Sequence, residues 1–512
     1  MADAITIAKK DLLSLTKFQH TMYQPNEDNE NDVYESRFLP NFRHGPWSSH
    51  LLIKMSETEK GKENKTCKYF PDMKFDYLCY TFLRIKLPFL KVRDKFASDI
   101  QISWPRNIGI NIIKRALIYH TDTKPQEFDR VSLNILFQTR TEKGDFEEES
   151  KSIGNIPELI SWSRTLPEWK LNVNQPWYFS TNHGYALPLF LFTDQTYQRQ
   201  KDEPICFEYE YELDISKLLR MRLKVPEIDV KNIANCVKDS DGTYWKYINF
   251  RSSYLEEVPK SCCIPIPEMW GRHSLLTDTE RDWIKEEISK KPLVMYIEDM
   301  FELDSTNDLK FGSDFHFNID YDLPVREINF VAENMQSSEI RNLSNYSTSI
   351  YSHKKAYCPI KYYEFSYFDN TKRVKKCESD FGTHIEHKYH SLRIPTDPGY
   401  CKISFGYGKQ LTPENDVSCC FKKQKARLTV VLGDNNPYIN SQTQTLLSQT
   451  QTQDENITQD EDLLKQDLLE TKTSSTKASD VDLSNSTYTI HVRTNVIKRL
   501  EFTLTGFSIQ LN

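Results

Sequence analysis

The sequence lacks the short motifs by which the common enzyme classes are recognised. It has no GxxxxGK[ST] phosphate loop, no GxSxG nucleophile turn and no HExxH zinc-protease helix. No apolar run reaches the roughly 18 residues that a membrane span needs, and the N-terminus has no signal-peptide pattern. We therefore predict a non-enzymatic protein without catalytic residues or a cofactor, which stays in the cytosol unless it assembles into something larger.

The sequence also lacks an excess of positive charge and any paired cysteine motif. The chain has 66 Lys and Arg against 73 Asp and Glu, a net charge of −7, and no sustained basic stripe. The attraction that drives general nucleic-acid binding is therefore missing, and we expect no direct contact with nucleic acid. The eleven cysteines form no CxxC motif, although Cys262/Cys263 and Cys419/Cys420 are adjacent, so we predict reduced thiols.

The best metal-ligand candidate is the series His384, His387 and His390 in the segment THIEHKYHSL. On an extended strand, residues three positions apart point to opposite faces, which would separate these imidazoles. Ligands of one zinc ion must instead converge on a single point. We therefore predict no metal site here.

Carboxylates and tryptophans offer the remaining candidates for chemistry. The runs at 147–149 and 278–282 lie outside any apolar stretch that would raise a carboxyl pKa for acid catalysis, which favours solvated loops. Tryptophans can stack on sugars, as in a lectin or glycosidase cleft, but core or intersubunit packing is the favoured interpretation. The tryptophans concerned are Trp47, Trp104, Trp177 and Trp270.

Period-two alternation is abundant and predicts a large β protein. Phe207, Tyr209, Tyr211 and Leu213 alternate with three glutamates, which is typical of a strand with one buried face. With 512 residues, two cores are expected. Near the end of the chain the apolar positions change from even to odd around Gly506, for which we predict a β-bulge.

A few segments depart from the strand pattern. Residues 275–288 predict a helix, with a capping box at Thr277 and Glu280. The first twenty residues form either an amphipathic helix or a mobile arm. Residues 433–485 are rich in Gln, Thr and Ser and predict a mobile loop. The Asn-x-Ser/Thr triplets are attributed to chance; they begin at Asn64, Asn342, Asn345, Asn456 and Asn485.

Six segments, in order, resemble the double jelly-roll major capsid proteins of nucleocytoplasmic large DNA viruses. In the first half they are NIGINIIKRALIYH (107–120), SIGNIPELI (152–160) and PWYFSTNHGYALPLFLF (176–192). In the second half they are LLTDTERDWIKEE (275–287), FNIDYDLPVREINFVAEN (317–334) and IPTDPGYCKISFGYGKQLTPEND (394–416). The PTDPG stretch and the opening AITIAKKDLL most resemble the asfarvirus branch, which includes African swine fever virus.

The resemblance implies an all-β fold of two tandem eight-stranded jelly rolls, with long loop insertions and a few short helices. Residues 1–35 would form an N-terminal arm, 36–221 the first roll and 222–512 the second roll, including the mobile loop at 433–485. The loop at 335–357 and the 433–485 insertion would lie at the outward end of the second roll.

The resemblance also implies a function, a late structural protein of the virion. Homotrimeric, pseudo-hexagonal capsomers would tile an icosahedral capsid assembled in the host cytoplasm, in a virus factory. The implied partners are other copies of the chain, minor capsid and penton proteins, and inner viral membrane proteins reached through the N-terminal arm. A poxvirus-type assembly scaffold and a carbohydrate-binding β-sandwich remain open as alternatives.

Overall fold

A computed structural model of the chain describes its strand-rich regions. The described residues are 50–60, 66–119, 125–175, 187–189, 205–226, 236–239, 241–259, 261–276, 282, 286, 289–290, 293–303, 306–319, 324–350, 356–369, 371–406, 425–433, 486–503 and 506–510. The predicted arm at 1–35, the capping box at 277–280, Trp47, Trp177 and all but Gly433 of the 433–485 segment lie outside them. Those predictions stay predictions.

Seventeen described strands pair among themselves in the first part of the chain. They are β1 (His50–Lys54), β2 (Ser56–Lys60), β3 (Thr66–Phe70), β4 (Tyr77–Leu87), β5 (Leu90–Val92), β6 (Ile100–Ser103), β7 (Ile113–Tyr119), β8 (Gln126–Asp129), β9 (Thr165–Leu166), β10 (Trp169–Asn174), β11 (Leu187–Pro188), β12 (Cys206–Tyr211), β13 (Arg220–Val225), β14 (Cys236–Lys238), β15 (Tyr244–Ile248), β16 (Leu255–Glu257) and β17 (Glu268–Ser274). We refer to this set as the first roll.

Two five-stranded sheets cover the core of the first roll. One has the order β1-β17-β4-β10, with β11 also on β4, and the other has the order β2-β3-β12-β7-β8. The sheets pack through their apolar faces, as strand β12 illustrates. Its Phe207, Tyr209 and Tyr211 are buried, while the intervening glutamates are only half-buried. The alternation predicted for this strand is confirmed. The Tyr211 hydroxyl donates to the Tyr69 hydroxyl (3.2 Å), which donates to the carbonyl of Pro267 (2.6 Å).

Ten further described strands form the second roll. They are β18 (Leu293–Glu302), β19 (Thr306–Leu309), β20 (Asp314–Ile319), β21 (Val325–Asn334), β22 (Ile360–Asp369), β23 (Thr371–Glu378), β24 (Cys401–Ser404), β25 (Lys425–Leu432), β26 (Tyr488–Thr503) and β27 (Gly506–Gln510). One sheet has the order β18-β26-β21-β24, with β19 and β27 also on β26, and the other has the order β20-β25-β22-β23. Their apolar inner faces form a second core that includes Phe330, Tyr363 and Val430.

No described strand of the first roll pairs with a described strand of the second. Strand β17 is bonded to β1 and β4, with Trp270 opposite Lys54 on one side and Phe82 on the other. Residues 222–274 therefore pair with the first roll. We accordingly propose a boundary after Ser274, further along the chain than the division predicted at 221/222.

Short helices lie between the strands. They are α1 (Ile108–Asn111), α2 (Arg130–Arg140), α3 (Phe146–Ser152), α4 (Pro157–Ile160), α5 (Ile215–Leu218), α6 (Met335–Glu339) and α7 (Glu386–His390), together with 3₁₀ turns at Asp94–Phe96 and Ser252–Tyr254 and a π turn at Phe381–Ile385. Within the described part of the chain, no helix is long and apolar enough to cross a membrane.

The β-bulge predicted at Gly506 is wrong. Strands β26 and β27 pair antiparallel, with Thr503 opposite Gly506 and Leu500 opposite Ile509. Directly paired residues of antiparallel strands lie on the same face of a sheet. In this register each even-numbered residue of β26 is paired with an odd-numbered residue of β27. The change from even to odd apolar positions is therefore the mark of a hairpin.

Candidate functional site: the buried junction between the rolls

Helix α2 carries a polar stripe that runs between the two rolls. The helix begins after Asp129, whose side chain caps it by accepting from the Ser132 amide at 2.9 Å. Arg130, Asn134 and Gln138 recur at four-residue spacing and therefore share one face of the helix. Because residues 131–139 are all buried, this polar face must find partners inside the protein.

The second roll supplies those partners. The Arg130 guanidinium donates to Glu333 at 2.8 Å, and the Asn134 amide donates to the Ser344 hydroxyl at 2.8 Å. Gln138 accepts from Arg393 at 2.6 Å. The stripe is therefore a docking face within the chain, and its contacts join residues about 200 to 255 positions apart.

Strand β21 forms the opposing wall and is buried along all ten residues. Ile328, Phe330 and Ala332 belong to the core of the second roll. Val331 belongs instead to the core of the first roll, and its odd-numbered neighbours Glu327 and Glu333 share that face. The sheet that contains β21 is thus covered by its own roll's core on one side and by the first roll on the other. The side against the first roll carries the buried charges of Glu327 and Glu333.

Three cations surround the Glu327 carboxylate, which is 1% exposed. Nη2 of Arg140 lies 3.2 Å from Oε1, and Nζ of Lys402 lies 2.5 Å from Oε2. Burial alone would raise the pKa of Glu327, but the charges of Arg140, Lys402 and Arg326 hold it well below its usual value. Burial also lowers the pKa of Lys402 to about 8, although Glu327 opposes the change.

Two further ion pairs extend the junction along β21 and β26. Burial would raise the pKa of Glu333, yet Arg130 and His491 lower it to about 2. His491 Nε2 lies 3.2 Å from the Glu333 carboxylate. Arg493 contacts Asp129 at 2.5 Å and, against the effect of burial, lowers its pKa to about 2. The Arg130–Glu333 and Arg493–Asp129 pairs cross between the rolls at the N-terminal end of α2.

The segment after β21 completes the junction. The Ser344 hydroxyl donates to Asn111 of the first roll at 2.5 Å, and the Tyr346 ring packs edge-on against Tyr400 at 5.2 Å. Residues 342–350 are mostly buried, and Leu343 and Tyr346 belong to the core of the first roll. That the 335–357 segment lies at the outward end of the second roll stays a prediction. Asn342 and Asn345 are at most 1% exposed, which agrees with attributing their triplets to chance.

Motifs far apart in the sequence meet at this junction. The Asn155 amide donates to Asn107 at 2.7 Å, joining the NIGIN and SIGNIPEL segments. Arg106 donates to both oxygens of Asp397, at 3.0 and 3.1 Å, which ties the PTDPG segment to the first roll. The polar side chains of these motifs therefore hold the fold together, through an amide hydrogen bond in one case and a bidentate ion pair in the other.

The three histidines are arranged differently from the prediction. Residues 381–390 form a π turn followed by α7, so the assumption of a strand is wrong. His387 is buried, hydrogen-bonded to the Ser391 hydroxyl (2.9 Å) and the Tyr400 carbonyl (3.1 Å), and its pKa falls to about 3 because of burial. His384 is exposed. In the described part of the chain, no group of three or more His, Cys, Asp or Glu side chains has a metal-binding arrangement.

One predicted carboxylate lies in an unexpected setting. Glu149 is on helix α3, where burial raises its pKa, so the reading of 147–149 as a fully solvated loop is wrong at this position. It lines a cavity of about 310 Å³ with an apolar floor that includes Phe137 and Val173. Trp104 is fully buried in the core of the first roll, as its packing interpretation requires.

Sequence reasoning missed helix α2 and with it the junction. The segment RVSLNILFQTR has the signals of a buried helix, with Asp129 as N-cap and apolar residues between three polar ones at four-residue spacing. Its partners lie hundreds of residues away, and so no local pattern indicates that the polar stripe is covered.

Comparison with known proteins places this fold in a family. Residues 63–196 match the family model described as the major capsid protein N-terminus. The chain is 24% identical over 358 residues to the major capsid protein of Invertebrate iridescent virus 6, covering 64% of this chain and 68% of that protein. The corresponding protein of Simulium iridescent virus is 22% identical, with 64% and 66% covered, so the aligned region spans about two thirds of these relatives.

Solved capsid structures share the whole fold. The PBCV-1 capsid model superposes with a TM-score of 0.59 at 9% identity, covering 91% of this chain and 97% of that one. The Faustovirus major capsid protein superposes with a TM-score of 0.58 at 8% identity, covering 98% and 99%. At these identities the likeness establishes the fold, and the sequence relatives supply the family.

The chain belongs to the major capsid proteins of the nucleocytoplasmic large DNA viruses. The predicted double jelly-roll fold is confirmed, and this capsid protein is a structural component of the virion, not an enzyme. The buried junction is accordingly structural, since its charged side chains neutralise one another across the two rolls. The nearer relation to asfarviruses stays a prediction.

Proposed function

We propose that this capsid protein forms homotrimeric, pseudo-hexagonal capsomers that tile an icosahedral shell. The observation that supports this most directly is the buried junction, where Arg130, Arg140 and Arg493 bridge the rolls. Two similar rolls held rigidly side by side give each copy two similar walls. Three copies would present six walls, which is the outline that a hexagonally packed facet requires.

The partners of the shell follow from the same proposal. Minor capsid and penton proteins would occupy the gaps between capsomers, and the N-terminal arm at 1–35 would reach inner viral membrane proteins. The net charge of −7 supports an absence of direct genome contact. Synthesis would be late in infection, with assembly in the host cytoplasm at a virus factory.

Mass measurement by light scattering, combined with negative-stain imaging of the purified full chain, tests the proposal. Particles of three-chain mass with a triangular or hexagonal outline are expected. A monomer that persists at high concentration would contradict it.

A scaffold role of the poxvirus type predicts a different copy number of the protein in mature particles. A shell protein remains in mature particles as a dominant component, whereas a scaffold is shed before maturation. Quantitative mass spectrometry of purified mature virions therefore separates the two roles, and the shell proposal expects high copy number.

A further inference from the structure

Large apolar side chains that are more than a third exposed fall into two groups among the described residues. Those of the first roll lie on or beside the β1-β17-β4-β10 sheet, and they are Leu51, Leu52, Tyr80, Phe89 and Trp169. Those of the second roll lie on or just after the α7 segment, and they are Ile385, Tyr389 and Ile394. Clustered exposed apolar groups on a folded chain indicate association surfaces.

The outer face of the first-roll sheet is also strongly basic. Its outward positions on β1, β4, β10 and β17 carry five cations and one carboxylate, counted over the described residues. The cations are Lys54, Arg84, Lys86, Lys170 and Arg272, and the carboxylate is Glu268. We call this surface the basic sheet face.

Among the described residues, the cations of the basic sheet face outnumber the carboxylates that pair with them. Lys86 stands directly opposite Lys170 on the neighbouring strand, and like charges in that register destabilise a sheet. Glu268 is 3.6 Å from both Lys54 and Lys86, and Lys54 also lies 3.8 Å from Glu57. An external anionic partner would relieve this repulsion.

The other sheet of the first roll is a useful contrast. On its outer face Lys68 pairs with Glu208 at 3.5 Å, and Arg115 pairs with Glu127 at 2.5 Å. Lys114 lies 3.4 Å from Glu212. Among the described residues, the cations of that face therefore have carboxylate partners, whereas those of the basic sheet face outnumber theirs.

The second apolar group is linked to an acidic segment through Arg393, and Lys388 lies 5.6 Å from the centre of the Tyr389 ring. Ile385 and Tyr389 are four residues apart along the helical segment and share a face. Ile394 follows Arg393, whose guanidinium lies 3.2 Å from the centre of the Phe146 ring at the start of α3. The segment 142–152 around α3 contains five carboxylates and two lysines. We call this surface the acidic helical patch.

We propose that the basic sheet face of one copy docks on the acidic helical patch of a second copy of this chain. Leu52 and Tyr80 add apolar surface at outward positions of the basic sheet face, and Ile385 and Tyr389 do so on the acidic helical patch. The two surfaces are opposite in charge, which is the complementarity that a specific contact needs. Because the two surfaces differ, the contact is head-to-tail and continues around a ring. The inference rests on the proposed self-assembly and assigns the surfaces that carry it.

Charge reversal with a compensating partner tests the contact. The variant Lys86→Glu/Lys170→Glu reverses part of the basic sheet face, and Glu147→Lys/Glu148→Lys reverses part of the acidic helical patch. Either change should raise the midpoint concentration for assembly roughly tenfold or more. The four-substitution variant should recover most of that loss, since opposite charges again face each other. Sedimentation velocity across a concentration series is the measurement.

A matched control places the same change of charge on the balanced sheet, as Lys114→Glu/Arg115→Glu. It breaks the exposed pairs with Glu212 and Glu127 but leaves the basic sheet face intact, so it should assemble as the unmodified chain does. Circular dichroism should show that all variants are folded. Assembly of the Lys86→Glu/Lys170→Glu variant at the unmodified midpoint would overturn the docking proposal and leave the shell function standing. A loss of binding to duplex DNA in that variant, with assembly unchanged, would overturn it in favour of a polyanion surface. An unmodified chain that never assembles would contradict the proposed function itself.

Discussion

Nη2 of Arg140, in the first roll, lies 3.2 Å from Oε1 of Glu327, in the second, and the two side chains are only 9% and 1% exposed. Both charges have been removed from water, so each depends on the other for compensation. A buried ion pair adds little net stability over an apolar contact, but removing one partner leaves an uncompensated charge. The junction between the rolls is therefore far more sensitive to loss of a single charge than the surface is.

The substitution Glu327→Gln should destabilise the protein severely. It removes the carboxylate that Arg140 and Lys402 share while leaving both cations buried. We expect a loss of about 3–5 kcal/mol in the free energy of unfolding, measured by urea denaturation. The matched control is Glu364→Gln, which breaks the exposed pair with Lys376 and should cost at most about 1 kcal/mol. Equal losses in the two variants would contradict our account of the junction.

Acid should weaken the junction in a defined range of pH. The pKa of Glu333 falls from 4.5 to about 2 in the folded chain, and that of Asp129 from 3.8 to about 2. Because the unfolded chain binds these protons first, the stabilisation is complete above about pH 4.5 and is lost as the pH falls to about 2. Glu333 alone would account for on the order of 3 kcal/mol.

Thermal unfolding followed from pH 6 to pH 2 checks this dependence. The variant Glu333→Gln should be less stable near neutrality and should show a shallower decline of melting temperature with acid. A decline of the same steepness in both proteins would show that other carboxylates are responsible.

Gly399 should not tolerate a side chain. It has a φ of +99°, and a Cβ at this position would lie 1.8 Å from the Tyr346 carbonyl oxygen. We expect Gly399→Ala to lose about 3–5 kcal/mol of folding free energy, because the PTDPG turn must move away from the junction. Gly312, at φ +86° with open space around it, is the control, and Gly312→Ala should cost about 1 kcal/mol. Similar melting temperatures for both variants would contradict the steric argument.

Deleting residues 441–480 should leave the fold and its assembly intact. The segment is rich in Gln, Thr, Ser and acidic residues, a composition that cannot bury enough apolar area to contribute to a core. The strands on either side, β25 and β26, have their own sheet partners. Sedimentation velocity of the deletion variant is the measurement, and loss of assembled species would show that the segment is structural.

Much of the fold could be predicted from local pattern. Alternation in β12 correctly indicated that Tyr209 and Tyr211 are buried. The change of the apolar residues from even to odd positions around Gly506 predicted a bulge, but the structure has a hairpin there. Both features shift the apolar positions by one, so the sequence pattern does not distinguish them. The strand assumed for residues 384–390 is wrong because a spacing of three residues between histidines occurs in strands and in helices alike. The spacing alone does not determine the backbone conformation.

The sequence by itself determined that the chain is a large β protein with two cores and no enzyme motif, because side-chain alternation and motif spacing are local properties. Only the tertiary structure decided what covers the second face of β21. Alternation shows that the two faces of a strand differ, but it cannot distinguish water from another domain. Glu327 and Arg140 are 187 positions apart, and their pairing exists only because helix α2 packs across the sheet. The same contact turns two separate rolls into one capsid subunit.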